Sequence, residues 1–156
     1  MSAPLENYLI LADDDPDHAL LFSRILQKVT PCKTLAVAKD GDELFQLLSK
    51  QLPEILFLDL NMPCKSGLEC LEQIRTTPAY QDLKVVVYSS SAHMTDIQRC
   101  LTSRADLYMV KPFASEHLKN ALETVLEKTW WQKASPHHHY FMNNRFVPFT
   151  LNTAPP

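Results

Sequence analysis

Four aspartates and one lysine stand at the ends of three apolar runs of the sequence. Asp13, Asp14 and Asp15 follow the run YLILA, Asp59 follows ILFL, and Lys111 follows LYMV. Carboxylates that lie close together repel one another, so that either their pKa values rise or a cation neutralises them. An all-oxygen set suits Mg²⁺, which takes few protein ligands and keeps water or phosphate oxygens for the rest of its octahedron. The pattern therefore predicts a magnesium site without His or Cys ligands.

The same residues predict phosphoryl transfer. A carboxylate beside Mg²⁺ can attack phosphorus, because the metal and a nearby ammonium group offset the charge of the nucleophile and of the phosphoryl oxygens. Asp59 is the predicted nucleophile, and its product is an aspartyl phosphate. Lys111 is expected to pair with one phosphoryl oxygen, and the hydroxyl of Ser89, which follows the run VVVY, to donate a hydrogen bond to another.

Structural roles compete with these chemical ones. The acids at 13–15 could be a solvated helix start, which carboxylates favour electrostatically, and Asp59 could open an ordinary turn. Ser90 and Ser91 are expected only to cap a helix. The combination of Asp59 with Lys111 favours the site.

A buried parallel sheet is the element that would bring these residues together. Short apolar runs alternate with amphipathic stretches between Tyr8 and Trp131, a pattern typical of a βα series. Because ligands bind outside the carboxyl ends of parallel strands, the residues that follow the strands are expected to share one crevice. Five strands are predicted: Tyr8–Ala12, Thr34–Ala38, Ile55–Leu58, Val85–Tyr88 and Leu107–Val110.

Five helices are expected between and after these strands. The first is predicted to begin at Pro16 with Asp15 as its N-cap, because aspartate accepts an orphan N–H and proline has none to lose. Apolar residues at helical spacing indicate the others, in the ranges 44–48, 68–74, 97–101 and 118–126.

Length and composition indicate one globular domain with a tail. The 156 residues are 46% hydrophobic and 21% charged, with a net charge of −3, and no cluster of Lys and Arg suggests direct DNA binding. The absence of a signal peptide and of a membrane-length apolar run predicts a cytoplasmic protein. Four cysteines without a C-x-x-C pair are expected to be reduced thiols.

The helical and strand periodicity stops at Gln132. We expect one globular domain over residues 1–131 and a tail over residues 132–156 that is irregular or docked on the domain. The tail contains His137, His138 and His139, whose adjacent spacing is poor for one metal site. Its aromatic residues could cover the domain's own surface or bind a partner.

Four stretches of the chain, LILADDDPD, ILFLDLNMP, VVVYSSS and LYMVKPF, resemble the signature stretches of bacterial two-component response-regulator receiver domains, in the family's order and spacing. The resemblance covers Tyr8 to Trp131. It implies a CheY-like, flavodoxin-like α/β fold, doubly wound, with five parallel strands in the order 2-1-3-4-5 and five helices.

The resemblance also assigns the metal site. Asp59 corresponds to the phosphoacceptor, Asp14 to a direct Mg²⁺ ligand, and Asp13 to an acid that acts through water. Asp59 itself and the backbone carbonyl of Asn61 would complete the set of protein ligands.

Three further residues match the family's phosphate-binding and switch positions. Lys111 corresponds to the lysine that pairs with the phosphate, after which the family has a cis peptide bond, here to Pro112. Ser89 matches the switch hydroxyl, and Tyr108 matches the aromatic side chain coupled to it. On phosphorylation, Ser89 would move toward the phosphoryl group and Tyr108 would turn inward.

The sequence departs from the family pattern before the fifth strand. A Gly-Ala pair is frequent there, but Arg104 and Ala105 stand in this chain, so that a differently shaped loop is expected. The segment Thr76–Lys84 is also longer than in chemotaxis-type receivers and resembles receivers that work without a fused output domain.

The resemblance implies a signalling protein rather than an enzyme with an external substrate. Its phosphodonor would be a sensor histidine kinase or a phosphotransfer protein, its output a contact with a downstream protein, and a homodimer remains open. One alternative is a pseudo-receiver that binds partners without phosphorylation. Another is a Mg²⁺-dependent phosphatase with an aspartate nucleophile, although that class has a second Asp two residues later, where Asn61 stands here.

Overall fold

Strands and helices alternate through most of the chain, as the sequence predicts. The computed structural model describes residues 3–133 and 139–149. The strands are β1 Leu5–Ala12, β2 Thr34–Ala38, β3 Pro53–Leu58, β4 Val85–Ser89, β5 Leu107–Val110, β6 His139–Met142 and β7 Arg145–Pro148. The helices are α1 Pro16–Val29, α2 Gly41–Lys50, α3 Gly67–Thr76, α4 Met94–Thr102, α5 Ser115–Val125 and α6 Lys128–Lys133.

The strands form one sheet in the order β2-β1-β3-β4-β5-β6-β7. All neighbours from β2 to β6 are parallel, and only β6 and β7 pair in antiparallel fashion. The flavodoxin-like class and the order 2-1-3-4-5 of the first five strands are therefore confirmed.

The prediction of only five strands and five helices was wrong, because residues 128–133 form a sixth helix and residues 139–148 add a hairpin to the sheet. Residues Asn143 and Asn144 both have positive φ, 53° and 61°, which is the backbone of a tight two-residue hairpin turn. The hairpin β6–β7 adds two strands beyond β5, and Phe141 is 2% exposed within the core.

Helix α6 runs across the boundary predicted at residue 131, and the hairpin lies beyond it. Residues 132 and 133 still belong to α6, and the Trp131 indole N–H donates to the carbonyl oxygen of Val125 at 2.6 Å. The division into a domain over 1–131 and a tail over 132–156 stays a prediction. His137 and His138 lie outside the described residues, and His139 begins β6.

Two hydrophobic cores, one on each face of the sheet, keep the strands buried. Helices α2, α3 and α4 cover one face, where Leu44, Leu71 and Ile97 are buried against the sheet. Helices α1 and α5 cover the other, with Phe22 and Leu122. Burial on both faces explains the continuous apolar runs of β1, β3 and β4.

The start of α1 matches the prediction. Asp15 is the N-cap, and its carboxylate accepts from the backbone N–H groups of Asp17 at 2.9 Å and His18 at 3.4 Å. This cap turns the chain sharply after β1, so that Asp13 and Asp14 lie at the sheet's carboxyl edge. Within residues 3–133 and 139–149, no helix is long and apolar enough to span a membrane.

Candidate functional site

The carboxyl ends of β1 and β3 place two aspartates side by side. The N–H of Asp13 donates to the carbonyl oxygen of Ala38 at 2.9 Å, and the N–H of Asp59 donates to that of Ala12 at 2.9 Å. These bonds continue the sheet's hydrogen bonding beyond the strand ends. The backbone positions of both acids are thus fixed by the sheet rather than by a loop.

Gly67 allows the chain to pass close behind Asp59. A Cβ at this position would lie 2.1 Å from the carbonyl oxygen of Asp59, nearer than any real Cβ contact. The N–H of Gly67 donates to the carbonyl oxygen of Leu60 at 2.9 Å, directly before α3. Sequence reasoning missed this residue, although it is one of only two glycines in the chain.

Three carboxylates form the candidate metal site. One oxygen from each of Asp13, Asp14 and Asp59 lies within 4.8 Å of the others. Asp13 and Asp59 are buried, whereas Asp14 is exposed, so that the cluster opens to solvent on one side. A cluster of hard oxygen donors that is open to solvent on one side fits a Mg²⁺ ion that keeps several waters. The N–H of Asn61 donates to Asp59 Oδ1 at 3.3 Å, which places the Asn61 backbone beside the cluster.

Lys111 bridges the two buried acids from the end of β5. Its Nζ lies 2.7 Å from Asp13 Oδ2 and 3.0 Å from Asp59 Oδ2, and only 9% of its side chain is exposed. The backbone N–H of Lys111 donates to the carbonyl oxygen of Ser89 at 2.7 Å. The prediction of a cis bond between Lys111 and Pro112 was wrong, because the described residues contain no cis peptide. The backbone bond to Ser89 and the ion pairs aim the lysine into the site with a trans bond.

Burial dominates the electrostatics of Asp59. Desolvation raises the pKa of this carboxyl, Lys111 opposes the rise through its charge and hydrogen bond, and the nearby carboxylate of Asp13 adds to it. The protein solvates this carboxylate poorly, and only one ammonium group offsets its charge. Such a carboxylate has the character of an available nucleophile.

Ser89 and Tyr108 lie next to one another behind the site, and both are fully buried. The Ser89 hydroxyl accepts from the N–H of Ser91 at 3.2 Å, and the Tyr108 hydroxyl donates to the carbonyl oxygen of Ser91 at 2.8 Å. Burial raises the pKa of Tyr108 to about 12. Both residues thus hold the loop after β4, but no hydrogen bond joins Ser89 to Asp59 in the described part of the chain.

Sequence reasoning missed a histidine at the mouth of the site. His18 is the third residue of α1, and its Nδ1 lies 3.0 Å from Lys111 Nζ. The same atom lies 3.7 Å from Asp13 Oδ2, and Nε2 lies 3.5 Å from Asp15 Oδ2. Its place one turn after the acidic N-cap was the only signal in the sequence.

Comparison with known proteins assigns the family. Residues 9–123 match the response regulator receiver domain. The chain therefore belongs to the response-regulator receiver family, whose members are signalling proteins.

Individual relatives agree with this assignment. The chain is 27% identical to the probable methanogenesis regulatory protein FilR2 of Methanothrix harundinacea, over 79% of this chain and 82% of that protein. It is 30% identical to the probable C4-dicarboxylate response regulator DctR of Priestia megaterium over 74% of this chain, but it spans only 50% of DctR. Among solved structures, the phosphorylated cyanobacterial phytochrome response regulator RcpA superimposes with a TM-score of 0.71 at 25% identity, covering 81% of this chain and 95% of RcpA.

Proposed function

We propose that this receiver accepts a phosphoryl group on Asp59 from a phosphohistidine, in a Mg²⁺-dependent reaction, and thereby switches a protein-binding surface. The observation that carries the proposal is the single ammonium of Lys111, which contacts both buried carboxylates at the sheet edge. A lysine so placed can leave one carboxylate for a phosphoryl oxygen without losing the other.

The transfer conserves charge and bonds in one displacement. One carboxylate oxygen of Asp59 forms the new bond to phosphorus while the bond from phosphorus to the donor imidazole nitrogen breaks. The leaving imidazole takes a proton from solvent. The electron pair of the broken bond goes to the imidazole nitrogen, Asp59 gives up its negative charge in forming the new bond, and the phosphoryl group stays dianionic. One phosphoryl oxygen then accepts the Lys111 N–H that Asp59 held before.

Asp13, Asp14 and Asp59, with the backbone carbonyl of Asn61, are the residues that would hold Mg²⁺. The bound metal would offset the negative charge that the carboxylates and the phosphoryl oxygens bring together. The three carboxylates lie close enough to share one ion. Water later attacks phosphorus, the bond from phosphorus to the Asp59 oxygen breaks, and inorganic phosphate leaves. Asp59 thereby returns to its free form, and the signal decays.

The loop after β4 is the proposed switch. When Ser89 turns its hydroxyl to a phosphoryl oxygen, it gives up the bond from the Ser91 N–H. Tyr108 is already buried in this structure, so that the expected inward turn would not be needed from this conformation. The change would instead pass from Ser89 through Ser91 to the Tyr108 hydroxyl and the start of α4.

The proposed partners are a sensor histidine kinase or phosphotransfer protein as donor and a downstream protein as target. Phe113, which is fully exposed directly after the Lys111–Pro112 pair, and Leu20 and Leu21 on α1 place apolar side chains around the mouth of the site. An apolar rim around a polar centre is typical of a protein contact. Direct DNA binding is not part of the proposal.

Two other functions remain weaker. A pseudo-receiver would bind partners without phosphorylation, but the acids and the lysine are all present and in contact. A phosphatase of the aspartate-nucleophile class would need a second acid at the position of Asn61, whose backbone N–H instead contacts Asp59.

The test is intact-mass measurement after incubation with Mg²⁺ and acetyl phosphate. We expect one phosphoryl adduct on the wild type. We expect none when EDTA is present during the incubation, and none on Asp59→Asn. Asp15→Asn is the matched control, since asparagine keeps the helix cap and Asp15 is outside the carboxylate cluster. An adduct that persists on Asp59→Asn would contradict the proposal.

A further inference from the structure

Three acceptors surround the ammonium group of Lys111. Asp13 Oδ2 lies at 2.7 Å, Asp59 Oδ2 at 3.0 Å and His18 Nδ1 at 3.0 Å from Nζ. A lysine ammonium has three N–H donors and no acceptor. We infer that His18 is a positioning residue that takes the third N–H of Lys111 and holds the ammonium in place for phosphoryl transfer. The inference rests on the proposed function and deepens it.

The contact fixes the tautomer of the imidazole. Because an ammonium can only donate, Nδ1 of His18 must accept, and the proton of the neutral ring is on Nε2. Nε2 lies 3.5 Å from Asp15 Oδ2, on the side of the ring away from Lys111. The ring thus lies between the N-cap of α1 and the end of β5, and it joins His18 to Lys111, which are 93 positions apart in the sequence.

His18 matters because one of the two other partners of Lys111, Asp59, changes during the reaction. Once Asp59 carries phosphate, Lys111 must turn from its oxygen to a phosphoryl oxygen. Asp13 and His18 are the contacts that remain, and two fixed N–H bonds determine the direction of the third. Without His18 that N–H would bond to water, and the ammonium could rotate about a single anchor.

The competing explanation is that His18 only occupies the first turn of α1. Its side chain is 46% exposed, and its backbone N–H serves the N-cap. In that case its ring could be removed without effect on Lys111. The chain offers a control at the same helix position, since His117 is likewise the third residue of its helix, α5. The described residues show no side-chain hydrogen bond or ion pair for His117.

The first measurement observes the Lys111 ammonium in metal-free protein by ¹H–¹⁵N NMR, with the signal assigned by its loss in Lys111→Arg. An ammonium with all three N–H groups bonded exchanges slowly with water, so that wild type and His117→Leu should show the signal. His18→Leu should lose it. His18→Asn should keep it, because the amide oxygen of asparagine can take the place of Nδ1.

The second measurement is the rate of phosphorylation by acetyl phosphate at saturating Mg²⁺. His18→Leu should be about tenfold slower than wild type, the effect of one lost hydrogen bond to a charged group. His18→Asn and His117→Leu should remain within about twofold of wild type, a difference of under half a kcal/mol in the barrier.

The outcomes separate this inference from the proposed function. A Lys111 signal that is absent in wild type or equal in His18→Leu overturns the inference, as does an unchanged or faster rate in His18→Leu. If the wild type takes no phosphate at all, the proposed function fails, and the NMR signal alone decides whether His18 holds Lys111.

Discussion

Arg75 and Arg104 each donate a hydrogen bond to the backbone carbonyl of the other. Arg75 Nε lies 2.9 Å from the Arg104 oxygen, and an Arg104 guanidinium nitrogen lies 3.0 Å from the Arg75 oxygen. Arg104 has φ of 71°, a conformation that glycine adopts without strain. Before β5, Arg104 therefore takes a backbone conformation that favours glycine, and its side chain adds a link to α3.

Arg75→Met is expected to lower the free energy of unfolding by about 3 kcal/mol, because it leaves buried acceptors without a partner. The buried guanidinium also pairs with Asp106 at 3.0 Å and donates to the carbonyl oxygens of Gln81 and Leu83. Urea denaturation measures the change. Lys119→Met, which breaks the exposed pair with Glu123, should cost under about 0.5 kcal/mol.

Arg104→Gly separates the conformation of the turn from the side-chain link. Relief of the positive φ should stabilise by about 1 kcal/mol, and loss of the hydrogen bond to Arg75 should cost a similar amount. The free energy of unfolding should therefore change by less than about 1 kcal/mol. A loss as large as that of Arg75→Met would contradict this assignment of roles.

Asp59→Asn is expected to stabilise the fold at neutral pH. The pKa of Asp59 is raised in the folded state, mainly by burial, so that its ionised form is stabilised less there than in the unfolded chain. Below the ordinary aspartate pKa of about 4 the carboxyl is protonated in both states, and the gain should vanish. The energetic cost of the ionised Asp59 carboxylate appears as the pH rises through the pKa that Asp59 has in the folded state.

Urea denaturation of wild type and Asp59→Asn across that pH range measures this difference. Asp82→Asn, at an exposed acid, should show little change at any pH. A gain from Asp59→Asn that grows as the pH falls would show that the sign is wrong.

Mg²⁺ should raise the melting temperature of the wild type, because an ion that binds only the folded chain stabilises it. At a concentration a hundred times its Kd the gain is about 2.7 kcal/mol. Asp14→Asn should reduce the shift strongly, and Asp15→Asn should leave it intact. Thermal melts in MgCl₂ and in NaCl of equal ionic strength measure it. Equal shifts in the two salts would argue against a magnesium site.

Phe141→Ala should release the hairpin from the sheet. The Phe141 ring is buried, contacts that of Phe146 at 4.8 Å, and its strand pairs with β5 at Met109. The free energy of unfolding should fall by about 3 kcal/mol, or by less if the hairpin detaches while the rest of the domain stays folded. Hydrogen exchange at residues 140–142 measures docking, with Arg145→Ala as the control. Rapid exchange at these amides in the wild type would contradict a docked hairpin.

The sequence predicted the elements whose information is local. The apolar runs of β1–β5 and the Asp15–Pro16 start of α1 were found because burial on two faces and capping each leave a pattern within a few residues. The convergence of Asp13, Asp59 and Lys111 followed from the rule that parallel strands share a carboxyl edge.

The features that were missed depend on distant contacts. The segment HYFM-NN-RFVP carries a hairpin signal in its Asn143–Asn144 turn, but its strands are short and need the edge of β5 to form. His18 meets Lys111 only after the sheet is assembled. Its position one turn after the acidic N-cap does not by itself indicate that contact.

Chemical mapping of the phosphorylated residue tests the central claim most directly. The protein is phosphorylated with acetyl phosphate and Mg²⁺, reduced with borohydride, which converts an aspartyl phosphate to homoserine, and digested for peptide mass spectrometry. The account predicts homoserine at position 59, and none when Mg²⁺ is withheld. Homoserine at position 13 or 14, or a phosphate that resists borohydride on a serine, would contradict it.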